Sequence, residues 1–143
     1  MKDFVEQEII YAVKKLLSGE VNEKLGALEY KIPLIEFTEY QGGSVVSPVI
    51  SFSMCEQTEK ERIVKQETYI LTISFKFPET KESELYCYAY SGAVSRVIYD
   101  NPTLCGEVDR AVISGKKYAS PKKPHCGEGW ELAITLRLTL EAL

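Results

Sequence analysis

Thr68-Tyr69-Ile70-Leu71-Thr72-Ile73-Ser74-Phe75-Lys76-Phe77 alternates large apolar side chains with small or polar ones. Tyr69, Leu71, Ile73, Phe75 and Phe77 point one way. Thr68, Thr72, Ser74 and Lys76 point the other, with Ile70 the apolar exception. A period of two with one wet side describes a strand that lays one face on a core and leaves the other uncovered. Pro78 closes the run. Strands of this kind build an antiparallel or mixed sheet, not the doubly covered parallel sheet of a nucleotide-binding fold.

Two flanking segments repeat the pattern. Toward the C-terminus, Leu132, Ile134, Leu136, Leu138 and Leu140 alternate with Ala133, Thr135, Arg137 and Thr139. Upstream, after Ser47-Pro48, Ile50, Phe52 and Met54 alternate with Ser51 and Ser53. Between the later strands lies an amphipathic stretch from Ser83 to Tyr99. Leu85, Tyr86, Ala89, Tyr90, Ala93, Val94 and Val97 form its apolar arc, and Tyr88, Ser91, Ser95 and Tyr99 its outward side. Thr80 is the candidate N-cap and Asn101-Pro102 the stop.

An earlier helix is expected from Asp3 to Ser18, burying Val5, Ile9, Ala12, Val13 and Leu16, with Asp3 as N-cap and Gly19 as a left-handed end. The expected architecture is therefore an α+β two-layer sandwich, an antiparallel or mixed sheet with two helices packed on one face. Residues 1–143 read as a single domain. From Glu20 to Gly43 the register is not legible. Ile32-Pro33-Leu34-Ile35-Glu36-Phe37 reads as a short edge strand, and Gln41-Gly42-Gly43-Ser44 as a turn. A short strand is expected to end at Ser114-Gly115, followed by a basic loop from Lys116 to Gly127. Glu56 to Lys65 reads as a charged connector, mobile in the free protomer, because Ile63 and Val64 alone cannot offset its ordering entropy.

The chain has 143 residues, 45% of them hydrophobic, enough for one core. Its net charge of −4 argues against affinity for a nucleic-acid backbone or an anionic membrane. No apolar run is long enough to span a bilayer, and acidic residues interrupt the N-terminus at once, so a cytoplasmic protein is expected. Cys55, Cys87, Cys105 and Cys126 are then reduced thiols.

A search for chemistry returns little. His125 and Cys126 are neighbours in a loop, a pairing that serves a thiol enzyme only if the imidazole reaches the sulfur. The cysteines lack metal-ligand spacing, and neither Gly42-Gly43-Ser44 nor Ser114-Gly115-Lys116-Lys117 has the helix start of a phosphate cradle. Lys116, Lys117, Lys122 and Lys123 with Tyr118 read as a solvated face or protein contact before a nucleic-acid patch. Trp130 reads as a core rim anchor or an interface hot spot. No catalytic residue, metal or cofactor is expected.

The order of features from Ser47 to Leu143 resembles the tail-terminator proteins of long-tailed phages, the lambda-type family that caps a finished tail tube. The resemblance rests on Pro48-Val49-Ile50-Ser51-Phe52, the polar insertion Glu56 to Lys65, and the strand Glu67 to Phe77 with Pro78. It continues through Ser83-Glu84-Leu85, the segment Leu104 to Tyr118, and Trp130-Glu131-Leu132. It implies a structural protomer that forms a six-fold ring on the head-proximal end of the tail tube. The implied partners are itself, the tail-tube protein, and sheath and head-connector proteins, with DNA passing through the lumen unbound. Its location is then the host cytoplasm during assembly and afterwards the virion or a tail-like particle. The assembly interface expected on this reading comprises Glu56, Glu59, Glu61, Arg62, Tyr88 and Tyr99; the alternative for the tyrosines is an ordinary surface position. Another neck or baseplate adaptor, or a small thiol enzyme using Cys126 and His125, remain the alternatives.

Overall fold

A computed structural model describes residues 4–37, 45–121 and 128–141. The elements in chain order are α1 (Val5–Leu16), a π-helical turn (Leu17–Val21), α2 (Asn22–Gly26), β1 (Leu34–Ile35), β2 (Val45–Val46), β3 (Val49–Lys60), β4 (Ile63–Pro78), α3 (Ser83–Asp100), β5 (Arg110–Ala119) and β6 (Glu128–Glu141). Strands β3-β4-β6-β5 form one sheet, in that order and antiparallel throughout. The helices cover one face of it, α3 over β4, β6 and β5, and α1 toward β3. This is the α+β sandwich that the alternation implies.

The register follows the pattern. Leu71 lies opposite Leu136, Ile73 opposite Ile134 and Phe75 opposite Leu132, all buried under the helices. Tyr69, Phe77 and Leu138 are buried on the same side, and Leu140 is half-buried at its rim. Thr72, Ser74 and Arg137 lie on the other face, where Lys76 meets Glu131 at 3.9 Å. Burying such side chains at about 1.5–3 kcal/mol each makes a one-residue slip prohibitive.

β3 departs from the expected alternation. A bulge between Phe52 and Met54 leaves Ile50 and Phe52 on the helix side but turns Met54 to the bare face, opposite Ile70 and exposed. An inserted residue inverts the facing of all that follow. β5 carries a bulge between Ile113 and Gly115 and runs on to Ala119. The strand therefore does not end at Ser114-Gly115. Lys116, Lys117 and Tyr118 belong to it rather than to a loop, and the bulge returns Lys116 and Tyr118 to the helix side, opposite Ile134 and Leu132.

The charged stretch from Glu56 to Lys65 is likewise no irregular connector. β3 and β4 stay paired to Lys60 opposite Ile63, joined by a two-residue turn, Glu61-Arg62. Both turn residues have positive φ, 55° and 66°, as a tight hairpin of this twist requires. With side chains instead of glycine, that conformation costs roughly 1–2 kcal/mol per residue.

The first helix does not end at Gly19. It continues through the π-helical turn into α2, because Leu17, Val21 and Leu25 extend its buried stripe against α3. Burial of these three outweighs the roughly 1 kcal/mol that glycine costs inside a helix. The expected cap Asp3 lies outside the described residues, and α1 begins after Phe4 without a side-chain cap. Leu34–Ile35 pairs in parallel with β2 in a separate two-stranded sheet, so it is not an edge of the main one. Asn22 fastens it. Its Nδ2 donates to the Ile35 carbonyl at 2.9 Å, and the Ile35 N–H donates to its Oδ1 at 2.8 Å. The Tyr90 hydroxyl donates to the Pro33 carbonyl beside it. The expected turn at Gln41-Gly42-Gly43-Ser44 lies outside the described residues.

α3 starts at Ser83, with Thr80 Oγ1 accepting the Glu82 N–H in the preceding turn. Asn101 ends it, its side-chain amide donating to the Val97 carbonyl and to Glu20. Ser91, expected outward, is buried beneath β5. No described helix is long and apolar enough to cross a membrane.

Candidate functional site

The six residues expected at an interface fall in two places, on opposite edges of the sheet. Glu56, Glu59, Glu61 and Arg62 lie on the outer part of the β3–β4 hairpin, all exposed. Gln66 faces Glu141 at the end of β6; beyond that pair, among the described residues, β3 and β4 bond only to each other. Glu59 and Lys60 at the end of β3 and Ile63, Val64 and Lys65 at the start of β4 thus extend with their turn as a short two-stranded arm of roughly 10 Å. Near its tip Ile63 is 56% exposed.

Tyr88 and Tyr99 lie on the other edge, where α3 runs beside β5. Eleven residues apart, they share a helix face about 16 Å apart along the axis. Tyr88 donates from its hydroxyl to Glu84 Oε1 at 2.8 Å, and that hydrogen bond raises its pKa. Its ring stands 5.8 Å from Tyr118 and 6.3 Å from Trp130, giving a partly exposed aromatic trio. Tyr99 is 77% exposed with the Arg96 guanidinium 5.7 Å from its ring, and Arg96 also pairs with Asp100 at 3.3 Å.

Sequence reasoning missed the residues that join these tyrosines to β5. Lys116 Nζ donates to Ser91 Oγ at 2.8 Å, and Tyr118 shares a 2.7 Å hydrogen bond with the same oxygen. Ser95 Oγ donates to the Ser91 carbonyl at 2.7 Å. The signal was Lys116 and Tyr118 at a spacing of two, hidden by the bulge that precedes them. Further along, Ile98, Tyr99, Pro102, Arg110, Ala111 and Ile113 line an open, mostly apolar groove of about 440 Å³. Ser95 and Val112 complete its lining, and β5 carries Arg110, Lys116 and Lys117 with no acidic residue.

The sheet's bare face is the third surface. Thr68, Thr72 and Ser74 from β4 meet Thr135 and Thr139 from β6, half-buried beside exposed Arg137. Among the described residues, neither this face nor the edges gather catalytic groups. No cluster of metal-ligating side chains occurs among the described residues. Burial raises the Cys55 pKa, and the Glu67 carboxylate beside its sulfur pushes the same way, opposite to the environment of a reactive thiol. Burial pushes Cys87 up to about 11. Cys105 is exposed. His125 and Cys126, the candidate thiol pair, and Lys122 and Lys123 lie outside the described residues. No protein-family model matches the chain, and no curated protein matches it.

Proposed function

We propose that this chain is a structural phage or prophage tail protein that caps the head-proximal end of the tail tube as a ring and forms the joining surface for the head connector. One observation carries the reading beyond the order of elements. The protomer has an arm projecting past β6 at one sheet edge and a mostly apolar groove at the other, more docking surface than a solitary chain needs. Contacts between different patches of identical copies generate rings when the rotation closes. The tail-tube protein, and sheath where the tail contracts, are the further partners on this reading, and the net charge of −4 favours a lumen that does not hold DNA. No catalytic residue, metal or cofactor has a part in it.

The test is genetic and visual. Particles assembled without this protein should carry tubes of unregulated length that fail to join heads. With it, electron microscopy should find a six-fold layer of this protein at the head-proximal tube end. Normal tails joined to heads in its absence, or the protein located at the distal end, would overturn the assignment; the second result would mark it as a baseplate adaptor.

A further inference from the structure

We propose that β5 beyond its bulge, Gly115 to Ala119, is a strap that opens from β6 while the rest of the sheet stays closed, with Ser91 as its latch. The inference concerns a single chain and does not depend on the tail reading. The bulge between Ile113 and Gly115 divides β5 into two halves that are held in different ways. The first half is fixed on several sides. Ala111 is buried, and Ile113 packs against the core. The Ala111 N–H donates to the Pro102 carbonyl at 2.7 Å, and the Asp109 N–H just before the strand donates to the Thr139 carbonyl at 2.9 Å. The Asp109 carboxylate also accepts the Glu141 N–H. The second half has no buried residue: Gly115, Lys116, Lys117 and Tyr118 are exposed and Ala119 is half-buried.

Apart from its ladder to β6, the second half is tethered chiefly through one residue. Lys116 Nζ donates to Ser91 Oγ at 2.8 Å and to the Ser91 carbonyl at 3.4 Å, and the Tyr118 hydroxyl shares its 2.7 Å hydrogen bond with the same Oγ. Ser91 itself is 4% exposed, and Ser95 Oγ donates to its carbonyl, so the latch is fixed in α3 while the side chains that reach it come from the surface. The other tether is the Tyr118 ring, 5.8 Å from that of the exposed Tyr88. A strand segment with few buried contacts opens at far lower cost than the whole domain, and a bulge is where pairing is already interrupted. While the strap is open, β6 from Glu131 to Thr135 becomes the edge of the sheet. An uncovered edge is a template for another strand, so the latch decides when that template is presented.

Hydrogen exchange under native conditions, followed by mass spectrometry, reads the opening. Peptides covering Gly115 to Ala119 and Glu131 to Thr135 should exchange faster than those covering Arg110 to Ile113 and Arg137 to Glu141. Ser91→Ala should speed the first pair on the order of tenfold and leave the second pair within about twofold. Ser91→Thr, which keeps a hydroxyl, should restore most of the protection. Gly115→Ala should slow the opening by about two- to fivefold, because the added methyl group meets no atom within 4 Å and restricts the open chain. Should Ser91→Ala fail to fold, Lys116→Met changes only an exposed residue and should give the same contrast at about threefold. One exchange rate for all of β5, or an effect of these variants spread evenly over the sheet, would overturn the strap and leave Ser91 a packing residue.

Discussion

A single hydrogen occupies the side-chain position of Gly129 because nothing larger fits. A β-carbon there would collide with the carbonyls of Phe77 and Pro78 and with Ser83 Oγ. Ser83, itself buried, accepts the Trp130 N–H at 2.7 Å, so the start of β6 is clamped between the end of β4 and the start of α3. Gly129→Ala should therefore lower the unfolding free energy by about 2–3 kcal/mol in urea titration, since two of the colliding atoms are backbone. Asn22 holds its neighbour by different means, completing both backbone hydrogen bonds of Ile35. Asn22→Ala leaves two polar groups without those partners and should cost about 2 kcal/mol, with Asn22→Asp intermediate, by the same titration. At Cys87 the variable is pH. Burial raises its pKa from 9.0 to about 11, so the folded chain keeps a proton that the unfolded chain releases first. Its contribution is present in full below pH 9 and is lost as pH rises toward 11. The buried Tyr90 hydroxyl, also raised by desolvation, acts in the same direction at higher pH. Cys87→Ala should flatten the fall in the urea midpoint between pH 9 and 11; an unchanged slope would show that this thiol does not drive it.

Among elements, the arm closes on the least expected turn. Glu61 and Arg62 adopt positive φ without the relief that glycine or asparagine provides. Glu61→Asn combined with Arg62→Gly should stabilise the protomer by about 1 kcal/mol, read as a higher thermal midpoint. The same element shows where a linear reading stops. β4 and β6 were legible because one face of each is buried, and burial writes a period of two into the residues. The arm has no core to face, so Glu56 to Arg62 carry no alternation and no turn signature, and paired strands look like a polar connector. In β3 and β5 the pattern exists, but the bulges beside Ser53 and Ser114 shift its phase, which displaced Met54, Lys116 and Tyr118. At Gly19 a local rule for helix ends was overridden by Val21 and Leu25, whose burial is a tertiary fact. Of the six candidate interface residues, exposure was readable from pattern alone. Their division between two edges was not, because strand order is not written in any one segment.

For the molecule as a whole, stability and assembly separate cleanly. Glu59→Lys with Glu61→Lys changes exposed side chains near the tip of the arm and should move the unfolding free energy by less than about 0.5 kcal/mol. The same pair should impair ring formation or tube attachment, scored by particle counts in electron microscopy. Tails terminated normally by the double variant would return the arm to the role of a solvated projection. The one-sided cover of the sheet carries a final consequence. A copy joined to its neighbour through opposite edges is never turned over, as floor tiles laid edge to edge keep their glaze upward. In any closed array made this way, every helical layer lies on one side and every bare sheet on the other. The array then has a lining and a jacket of different chemistry, one of threonine and serine hydroxyls set among scattered charges, the other of helix surface, and what touches one never meets the other.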